Sequence, residues 1–227
     1  MNAQAPERAV FAEIQEQFGF VPPFFLAALG NPHVLKNLWE QTKSAYTGSP
    51  LDKLFLERLF AYLSKFCSAP YCLVCHSCYL RPLGMNGKDV LQLLERPIPS
   101  RETVQQFLND GLKHAGNVGK WPTPGTHADD ILIWLSVAAY LNLPDAAAAF
   151  IVLRRMLGDR DYQHLMAFLA YVKTCGVWIE SHPELSYEAD KRVIDYMGPT
   201  VEEEPRLLEF FAKYKTRVAE EKNRSGL

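Results

Sequence analysis

Four of the five cysteines of this chain and one of its histidines lie within a single short segment. The segment reads Cys67-Ser-Ala-Pro-Tyr-Cys72-Leu-Val-Cys75-His76-Ser-Cys78-Tyr79. Side chains three and four positions apart share one face of a helix, so Cys75 and His76 are predicted to project beside Cys72. Cys78 is predicted to point away from them. The spacing therefore predicts a thiol with an imidazole one helical turn above it.

This arrangement favours nucleophilic attack by a thiolate. Pro70 is tolerated in the first turn of a helix and Ser68 is a suitable cap, so a helix is predicted to begin just before Cys72. A helix N-terminus and a nearby base lower the pKa of a cysteine from about 8.5 toward about 3.5–7.5. We therefore expect an ionised Cys72, with His76 as its base, to attack a peroxide and become a sulfenic acid.

A sulfenic acid needs a second thiol to escape further oxidation. A disulfide joins Cα atoms about 4.4–6.8 Å apart, whereas Cys78 lies about 9 Å further along the helix at a rise of about 1.5 Å per residue. Cys75 is one turn away, but its Cβ direction requires some unwinding, and Cys67 precedes the helix on a loop. Both Cys75 and Cys67 stay open as the resolving thiol, and Cys175 is predicted to be a buried apolar residue.

Other sites could be built from the same residues. Cys72-Leu-Val-Cys75-His76 matches the C-x-x-C-H pattern of c-type haem attachment. The four clustered cysteines are spaced nearly as in iron–sulfur proteins, and with His76 they could bind zinc, but ligands along one straight helix do not converge on an ion. We therefore expect no cofactor and no metal. A further alternative is that all four cysteines are small buried apolar residues.

The helix before the cluster carries a carboxylate among apolar residues. This helix is predicted from Leu51 to about Phe66, and Glu57 lies within it. Its apolar neighbours at helical spacing are Leu54, Phe55, Leu59, Tyr62 and Leu63. Two interpretations of Glu57 are open, a role at the cysteine site or a structural ion pair with Arg58 or Lys53.

Helical patterns fill the rest of the chain, and no stretch of useful length alternates like a strand. Besides the two helices above, helices are predicted at 7–18, 23–30, from Pro32, 88–95, after Ser100, 131–141, 144–157, 161–178, 188–196 and 203–222. Capping boxes are predicted at Ser49 with Asp52 and at Thr126 with Asp129. The fold class is therefore all-α, with about ten helices.

One domain is predicted over residues 1–200, followed by a C-terminal helix and polar tail over 201–227. An irregular connection at 116–127 separates two groups of helices, and the apolar helices between 131 and 157 are predicted to form the middle of the fold. The last helix has a short 4-3-4 apolar spacing that is compatible with a coiled coil, but we expect it to pack back on the domain.

The composition narrows the classes of partner. The chain has 227 residues, of which 48% are hydrophobic and 22% charged, and its net charge is −2. A globular core is therefore expected, whereas nucleic acid and anionic membrane surfaces are not expected as partners. The N-terminus lacks an apolar signal segment, so we expect a cytoplasmic protein, in which clustered cysteines are more often catalytic than structural.

The residues around the cluster resemble a known family. Glu57, Tyr71, Cys72 and His76 look like the signature of the AhpD-like alkylhydroperoxidase and carboxymuconolactone decarboxylase superfamily. In that family a glutamate lies twelve positions before a Cys-x-x-Cys, whose second cysteine is followed four residues later by a histidine. Ala69 stands where the first cysteine of the pair would be. The resemblance covers roughly residues 8–90, and helices at 128–157 look like the family's second helical pair.

The resemblance implies an AhpD-like helical fold that forms a homo-oligomer. It also implies that Cys72 is the peroxidatic thiol, His76 its base and Glu57 the relay behind the base, with Tyr71 in the pocket. We therefore expect reduction of a small hydroperoxide at the expense of a thiol or dithiol reductant. One alternative is decarboxylase-like proton transfer by His76 and Glu57, against which the few arginines near the cluster argue. The other is a non-enzymatic redox or ligand sensor that signals through the helix at 203–222.

Overall fold

The computed structural model describes residues 5–114 and 121–225, and this part of the chain is built from helices without a strand. The α-helices are α1 Ala5–Phe18, α2 Pro23–Leu26, α3 Pro32–Thr42, α4 Lys53–Ser64, α5 Tyr71–Tyr79, α6 Gly87–Glu95, α7 Arg101–Lys113, α8 His127–Leu141, α9 Ala146–Glu180, α10 Lys191–Glu203 and α11 Arg206–Ser225. A π-helical turn, Lys43–Thr47, continues α3. The predicted all-α class is confirmed. Most of the irregular connection predicted at 116–127, up to residue 120, lies outside the described residues.

Side-chain caps set the start of several helices. Thr126 accepts a hydrogen bond from the Asp129 amide at the start of α8, and Ser100 accepts one from Thr103 at the start of α7, as predicted. The capping box predicted at Ser49 is wrong, because Asp52 alone caps α4. Its carboxylate accepts from the Phe55 amide at 2.8 Å, so α4 begins two residues later than expected.

Two adjacent helices, α4 and α5, form much of the centre of the molecule. Every residue of α4 from Phe55 to Ser64 is buried, and so is every residue of α5 from Tyr71 to Cys78. Helix α4 also packs against α6, α8 and α9. The helices between 131 and 157 are predicted to form the middle of the fold. Helix α8 lies there together with α4 and α5, since it is buried from Ile131 to Ala139. Helix α9 is less buried, because its Ile151 is exposed.

Helix α9 joins two segments that the sequence predicts as separate helices. Gly158 interrupts its helical geometry with φ 75° and ψ 168°, a conformation that glycine adopts without steric cost. The break falls between the two predicted helices, 144–157 and 161–178. The second segment extends to Glu180 and carries Tyr171 and Cys175 toward α5.

The C-terminal end differs from the prediction. A helix was expected to stop at Gly198-Pro199, but α10 continues through Pro199 to Glu203. Proline removes one helical hydrogen bond, and the Thr200 hydroxyl donates to the Tyr196 carbonyl at 2.6 Å in the same turn. Helix α11 packs on α6 and α10 with the side chains of Leu207, Phe210, Phe211 and Tyr214 buried.

In the described part of the chain, no helix combines the length and the apolar character that crossing a bilayer requires.

Candidate active site

Helices α4 and α5 bring a buried carboxyl group against a buried imidazole. Nδ1 of His76 lies 2.8 Å from Oε2 of Glu57, and these two residues are 4% and 0% exposed. The structural ion pairs considered for Glu57 are not present among the described residues. Arg58 instead pairs with Asp129 at 2.8 Å, and Lys53 donates to the Tyr79 hydroxyl. The carboxyl group of Glu57 therefore belongs to the site around the cysteine helix.

Tyr46 completes the hydrogen bonding of that carboxyl group. It comes from the π-helical turn after α3, and its hydroxyl donates to Oε1 of Glu57. Because His76 occupies Oε2, both oxygens of a fully buried carboxyl group have a partner. A buried polar group without partners costs about 1–3 kcal/mol, so Tyr46 stabilises Glu57 in this position.

The imidazole of His76 is fixed from several sides. Phe60, on the same helix as Glu57, stacks on the ring with centroids 3.6 Å apart and planes inclined by 15°. The ring of Tyr46 meets it edge to face at 5.8 Å. Nδ1 is used by Glu57, whereas Nε2 has no hydrogen-bond partner in the described part of the chain. Nε2 is therefore the ring nitrogen left to exchange a proton with a thiol or a substrate.

A small cavity adjoins this pair, and Cys72 and His76 both line it. Its volume is about 30 Å³, enough for one or two water molecules. The other lining residues are Phe18, Pro22, Phe24, Phe25, Thr42, Tyr46, Phe60, Tyr71, Tyr171, Cys175 and Arg192. A neighbouring cavity of about 200 Å³ shares the walls formed by Phe18 and Tyr46. The thiol and the imidazole thus face a common space with largely aromatic walls.

Burial favours the neutral forms of both Glu57 and His76. It raises the pKa of Glu57 to about 8 and lowers the pKa of His76 well below its usual value. The positive charge of Arg192 also acts on both groups, lowering the pKa of Glu57 and of His76. An imidazolium is therefore disfavoured, and Glu57 is the member better able to hold a proton.

The surroundings of Cys72 oppose the ionisation that the sequence predicts for its thiol. Burial raises its pKa well above the usual value, and neighbouring thiols, first that of Cys175, act in the same direction. The predicted cap is also wrong, since Pro70 is the N-cap of α5 and the Ser68 amide donates to Glu180 instead. Desolvation thus outweighs the helix N-terminus, and Cys72 needs a base to become a nucleophile.

The remaining clustered thiols lie in different environments. None of the five cysteines, all of which lie in the described part of the chain, forms a disulfide. Cys75 lies near enough to Asp190 and Arg192 for their charges to act on it. The Cys78 sulfur lies 4.0 Å from that of Met197 on α10. Cys67 donates to the carbonyl of Gly176 at 3.7 Å. Neither Cys75 nor Cys67 is among the residues that line the Cys72 cavity.

Tyr71, for which the resemblance implies a place in the pocket, lines the cavity and contacts a charged pair beside it. Its hydroxyl donates to Asp190 at 2.6 Å, and Arg192 donates to both oxygens of the same carboxylate at 2.8 Å. Burial acts to raise the pKa of Asp190, but Arg192 holds it below its usual value. Few arginines are expected near the site, and Arg192 is the one that lines this cavity among the described residues.

Several site residues carried no signal in the sequence. Tyr46, Tyr171 and Arg192 come from three elements distant from the cysteine cluster, and none has a spacing that relates it to Cys72. Only the packing of those elements around α4 and α5 brings them to the cavity. Among the described residues, no group of three or more histidine, cysteine or acidic side chains is arranged to hold a metal ion.

No protein-family model matches the chain, and no curated protein is significantly similar to it.

Proposed function

We propose that this protein is an AhpD-like thiol peroxidase that reduces small hydroperoxides through Cys72, with His76 as base and Glu57 as relay. The observation that carries the proposal is the Glu57–His76 hydrogen bond of 2.8 Å beside a cavity that Cys72 also lines. The spacing by which Glu57, Cys72 and His76 resemble the AhpD-like superfamily supports the same assignment. Cytoplasmic location and self-association belong to this proposal as well.

Two coupled proton transfers convert the Cys72 thiol to the thiolate. The Cys72 proton passes to Nε2 of His76 while the proton on Nδ1 passes to the carboxylate of Glu57. The transfer begins with one negative charge on Glu57 and ends with one on Cys72, so no new charge is created in a buried site. The raised pKa of Glu57 makes it a better acceptor than the imidazole, whose pKa is lowered.

The thiolate then attacks one oxygen of the hydroperoxide. The S–O bond forms as the O–O bond breaks, which oxidises Cys72 to the sulfenic acid and releases an alkoxide or hydroxide. His76 returns a proton from Nε2 to this leaving group, and Glu57 returns its proton to Nδ1. The products are an alcohol or water, and the dyad is restored for the next cycle.

The size of the cavity limits the substrate class. A space of about 30 Å³ beside Cys72 admits the hydroperoxide group itself with few further atoms. A short apolar substituent would extend past Phe18 and Tyr46 into the neighbouring space of about 200 Å³. Hydrogen peroxide and short-chain alkyl hydroperoxides fit these dimensions, and we propose a thiol or dithiol as the reductant.

A second candidate is decarboxylase-like proton transfer by His76 and Glu57 on a small carboxylated substrate. The buried guanidinium of Arg192 in the cavity wall favours it, since such a group binds carboxylates. However, Arg192 already uses two of its donors on Asp190. The volume of about 30 Å³ is also too small for a ring-bearing acid without rearrangement.

Peroxide consumption with a dithiol reductant tests the first proposal against the second. We expect Cys72→Ser to lose activity, whereas Cys78→Ser, which changes a thiol directed toward Met197 on α10, keeps it. Equal activity of wild type and Cys72→Ser would exclude a peroxidatic role for Cys72. A wild-type protein that consumes no hydroperoxide, yet catalyses proton exchange on a small carboxylic acid, would support the decarboxylase-like reading.

A further inference from the structure

We infer that Cys175 is the thiol that closes a disulfide with Cys72 when the site is oxidised. The inference rests on the proposed function, because the peroxidatic reaction supplies the sulfenic acid to be resolved. It replaces the two thiols that the sequence favours, Cys67 and Cys75, with one from a distant helix. In the family, the second thiol comes from the position that Ala69 occupies here. Cys175 on α9 would supply that thiol instead.

The cavity is the first observation that pairs the two thiols. Among the described residues, Cys72 and Cys175 are the two cysteines that line it. Helix α5 packs directly on α9, and a disulfide between them would need Cα atoms about 4.4–6.8 Å apart. A sulfenic acid formed on Cys72 in this cavity would therefore have Cys175 as the other cysteine of the same wall.

The nearest sequence neighbours of Cys72 are less well placed. Cys75 is not among the residues of the cavity wall and lies near the charges of Asp190 and Arg192. It also lies on the same helix as Cys72, where a bond between the two requires the turn to unwind. That cost is absent for a thiol that approaches from a separate helix.

Cys67 is the strongest competitor, since its sulfur donates to the carbonyl of Gly176 at 3.7 Å. It therefore lies beside the same turn of α9 that carries Cys175, at the edge of the site rather than in the cavity. Of the two, only Cys175 lines the cavity that Cys72 lines, and this placement favours Cys175.

Tyr171 lies one helical turn before Cys175 and also lines the cavity. Its hydroxyl lies 2.9 Å from that of Thr42. Because the Thr42 hydroxyl donates to the Leu38 carbonyl, the Tyr171 hydroxyl donates to Thr42. Burial raises the pKa of Cys175 to about 12, so its thiol must give up its proton as the S–S bond forms.

The chemistry balances without a further oxidant. Cys175 attacks the sulfur of the Cys72 sulfenic acid, the S–S bond forms and the S–O bond breaks. The hydroxyl group leaves with the Cys175 proton as water. A dithiol reductant then opens the disulfide by exchange, restores both thiols and is itself oxidised to a disulfide.

Tryptic peptides separate the competing disulfides. Trypsin leaves Cys67, Cys72, Cys75 and Cys78 together in residues 66–88, because the Arg81-Pro82 bond resists cleavage, and it places Cys175 in residues 174–191. A bond to Cys175 joins two peptides, whereas a bond to Cys67 or Cys75 lowers the mass of one peptide by two hydrogens. The full chain is oxidised with one equivalent of hydrogen peroxide, digested without reduction and measured by mass spectrometry.

We expect the two peptides to be joined in wild type and in Cys67→Ser but not in Cys72→Ser. In Cys175→Ala the first turnover should persist, dimedone should trap a sulfenic acid on Cys72, and steady-state turnover with a dithiol should fall at least tenfold. An internal disulfide in residues 66–88 with no joined peptides would overturn the inference and leave the proposed function intact.

Diamide oxidises neighbouring thiols to a disulfide without a peroxidatic step. It therefore distinguishes a failure of the Cys72–Cys175 pairing from a failure of the peroxidase proposal. If diamide joins Cys72 to Cys175 but hydrogen peroxide leaves Cys72 unoxidised, the thiol pair stands and the peroxidase proposal fails. If neither reagent joins the two peptides in the wild-type chain, the pairing is wrong. Fragmentation of the joined peptides shows which of the four cysteines in residues 66–88 is bonded to Cys175. The measurement therefore needs no variant, and a folding defect of Cys175→Ala does not affect it.

Discussion

Phe60 stacks face to face on His76, with ring centroids 3.6 Å apart, and lies one turn after Glu57 on the same helix. One face of α4 therefore supplies both the group that holds the imidazole plane and the group that bonds its Nδ1 atom. This arrangement aligns Nδ1 with the carboxyl group and leaves Nε2 for the cavity. The reactivity of Cys72 should consequently depend on whether Glu57 can accept a proton.

Glu57→Gln should slow oxidation of Cys72 by hydroperoxide, by about 10²–10⁴-fold as is typical for loss of a general acid–base group. An amide retains the size of the side chain but cannot accept the proton from His76. In the wild type, the rate should rise with pH through about 8, since Glu57 becomes an acceptor only as it ionises. Single-turnover oxidation measured from pH 6 to 9 provides the test.

The same substitution at the exposed Glu202 is the matched control and should change neither the rate nor its pH dependence. In Glu57→Gln the rise near pH 8 should disappear. A variant with the wild-type pH profile would show that the profile arises from another group, and Glu57 would then have no relay function.

The free energy of unfolding should fall as the pH rises from 6.5 to 8. Native Glu57 keeps a proton up to about pH 8, whereas the unfolded carboxyl group loses it near 4.5, so native stability declines between these values. His76 acts in the opposite direction only below its unfolded pKa of 6.5, because its pKa is lowered in the native state. Of these two groups, only Glu57 acts above pH 6.5. The buried thiols of Cys72 and Cys175, whose pKa values are also raised, act in the same direction as the pH nears their unfolded pKa of about 8.5, and a comparison with Glu57→Gln cancels their contribution.

If unfolding releases one proton, the free energy of unfolding changes by at most about 1.4 kcal/mol per pH unit. Urea unfolding at intervals between pH 6.5 and 8 measures this slope in wild type and in Glu57→Gln. As the pH rises, the free energy of unfolding of wild type should fall relative to that of Glu57→Gln. A constant difference across this range would mean that native Glu57 does not retain its proton.

Tyr46→Phe should destabilise the fold by about 1–3 kcal/mol, because it leaves a buried oxygen of Glu57 without its donor. Loss of that donor also disfavours the carboxylate, so the pKa of Glu57 should rise further. The pH dependence of Cys72 oxidation should move upward accordingly. Tyr79→Phe is the control, since it removes only a more exposed contact with Lys53 and should cost less than about 1 kcal/mol.

Both effects of Tyr46→Phe are needed to support its contact with Glu57. A stability loss with an unchanged pH profile would show that Tyr46 acts through packing alone. Denaturant unfolding and single-turnover kinetics on the same preparation separate these two results.

The parts of the site that the sequence predicts are those encoded by local spacing. Cys72 and His76 are one helical turn apart, and Glu57 stands out because a carboxylate is unexpected among buried apolar residues of α4. Tyr46 and Arg192 could not be predicted in the same way. They reach the cavity through the packing of distant helices, which no local periodicity records.

Helix ends were predicted where a side chain caps the backbone, as at Ser100 and Thr126. They were missed where packing overrides a local signal. Pro199 predicts a helix end, but α10 continues because its contacts with α5 and α6 compensate for one lost hydrogen bond. The burial that raises the pKa of Cys72 has a related cause, since burial is a property of the whole fold and cannot be read from the helix start.

The contact between α6 and α10 gives the last prediction, which concerns the fold independently of the chemistry. A Cβ atom at Gly87 would lie 2.3 Å from the Thr200 carbonyl oxygen and 3.1 Å from Cβ of Glu204. Gly87→Ala must therefore push the two helices apart, and overpacking of this kind costs about 1–3 kcal/mol.

Gly198→Ala is the matched control, because it lies within α10 and a Cβ atom there meets nothing within 4 Å. It should stabilise the protein by up to about 1 kcal/mol, since alanine favours a helix more than glycine does. Thermal or urea unfolding of the two variants should thus shift in opposite directions. If Gly87→Ala were also stabilising, α6 and α10 could not be in contact at Thr200, and the placement of α10 beside α5, which brings Arg192 to the cavity, would be wrong as well.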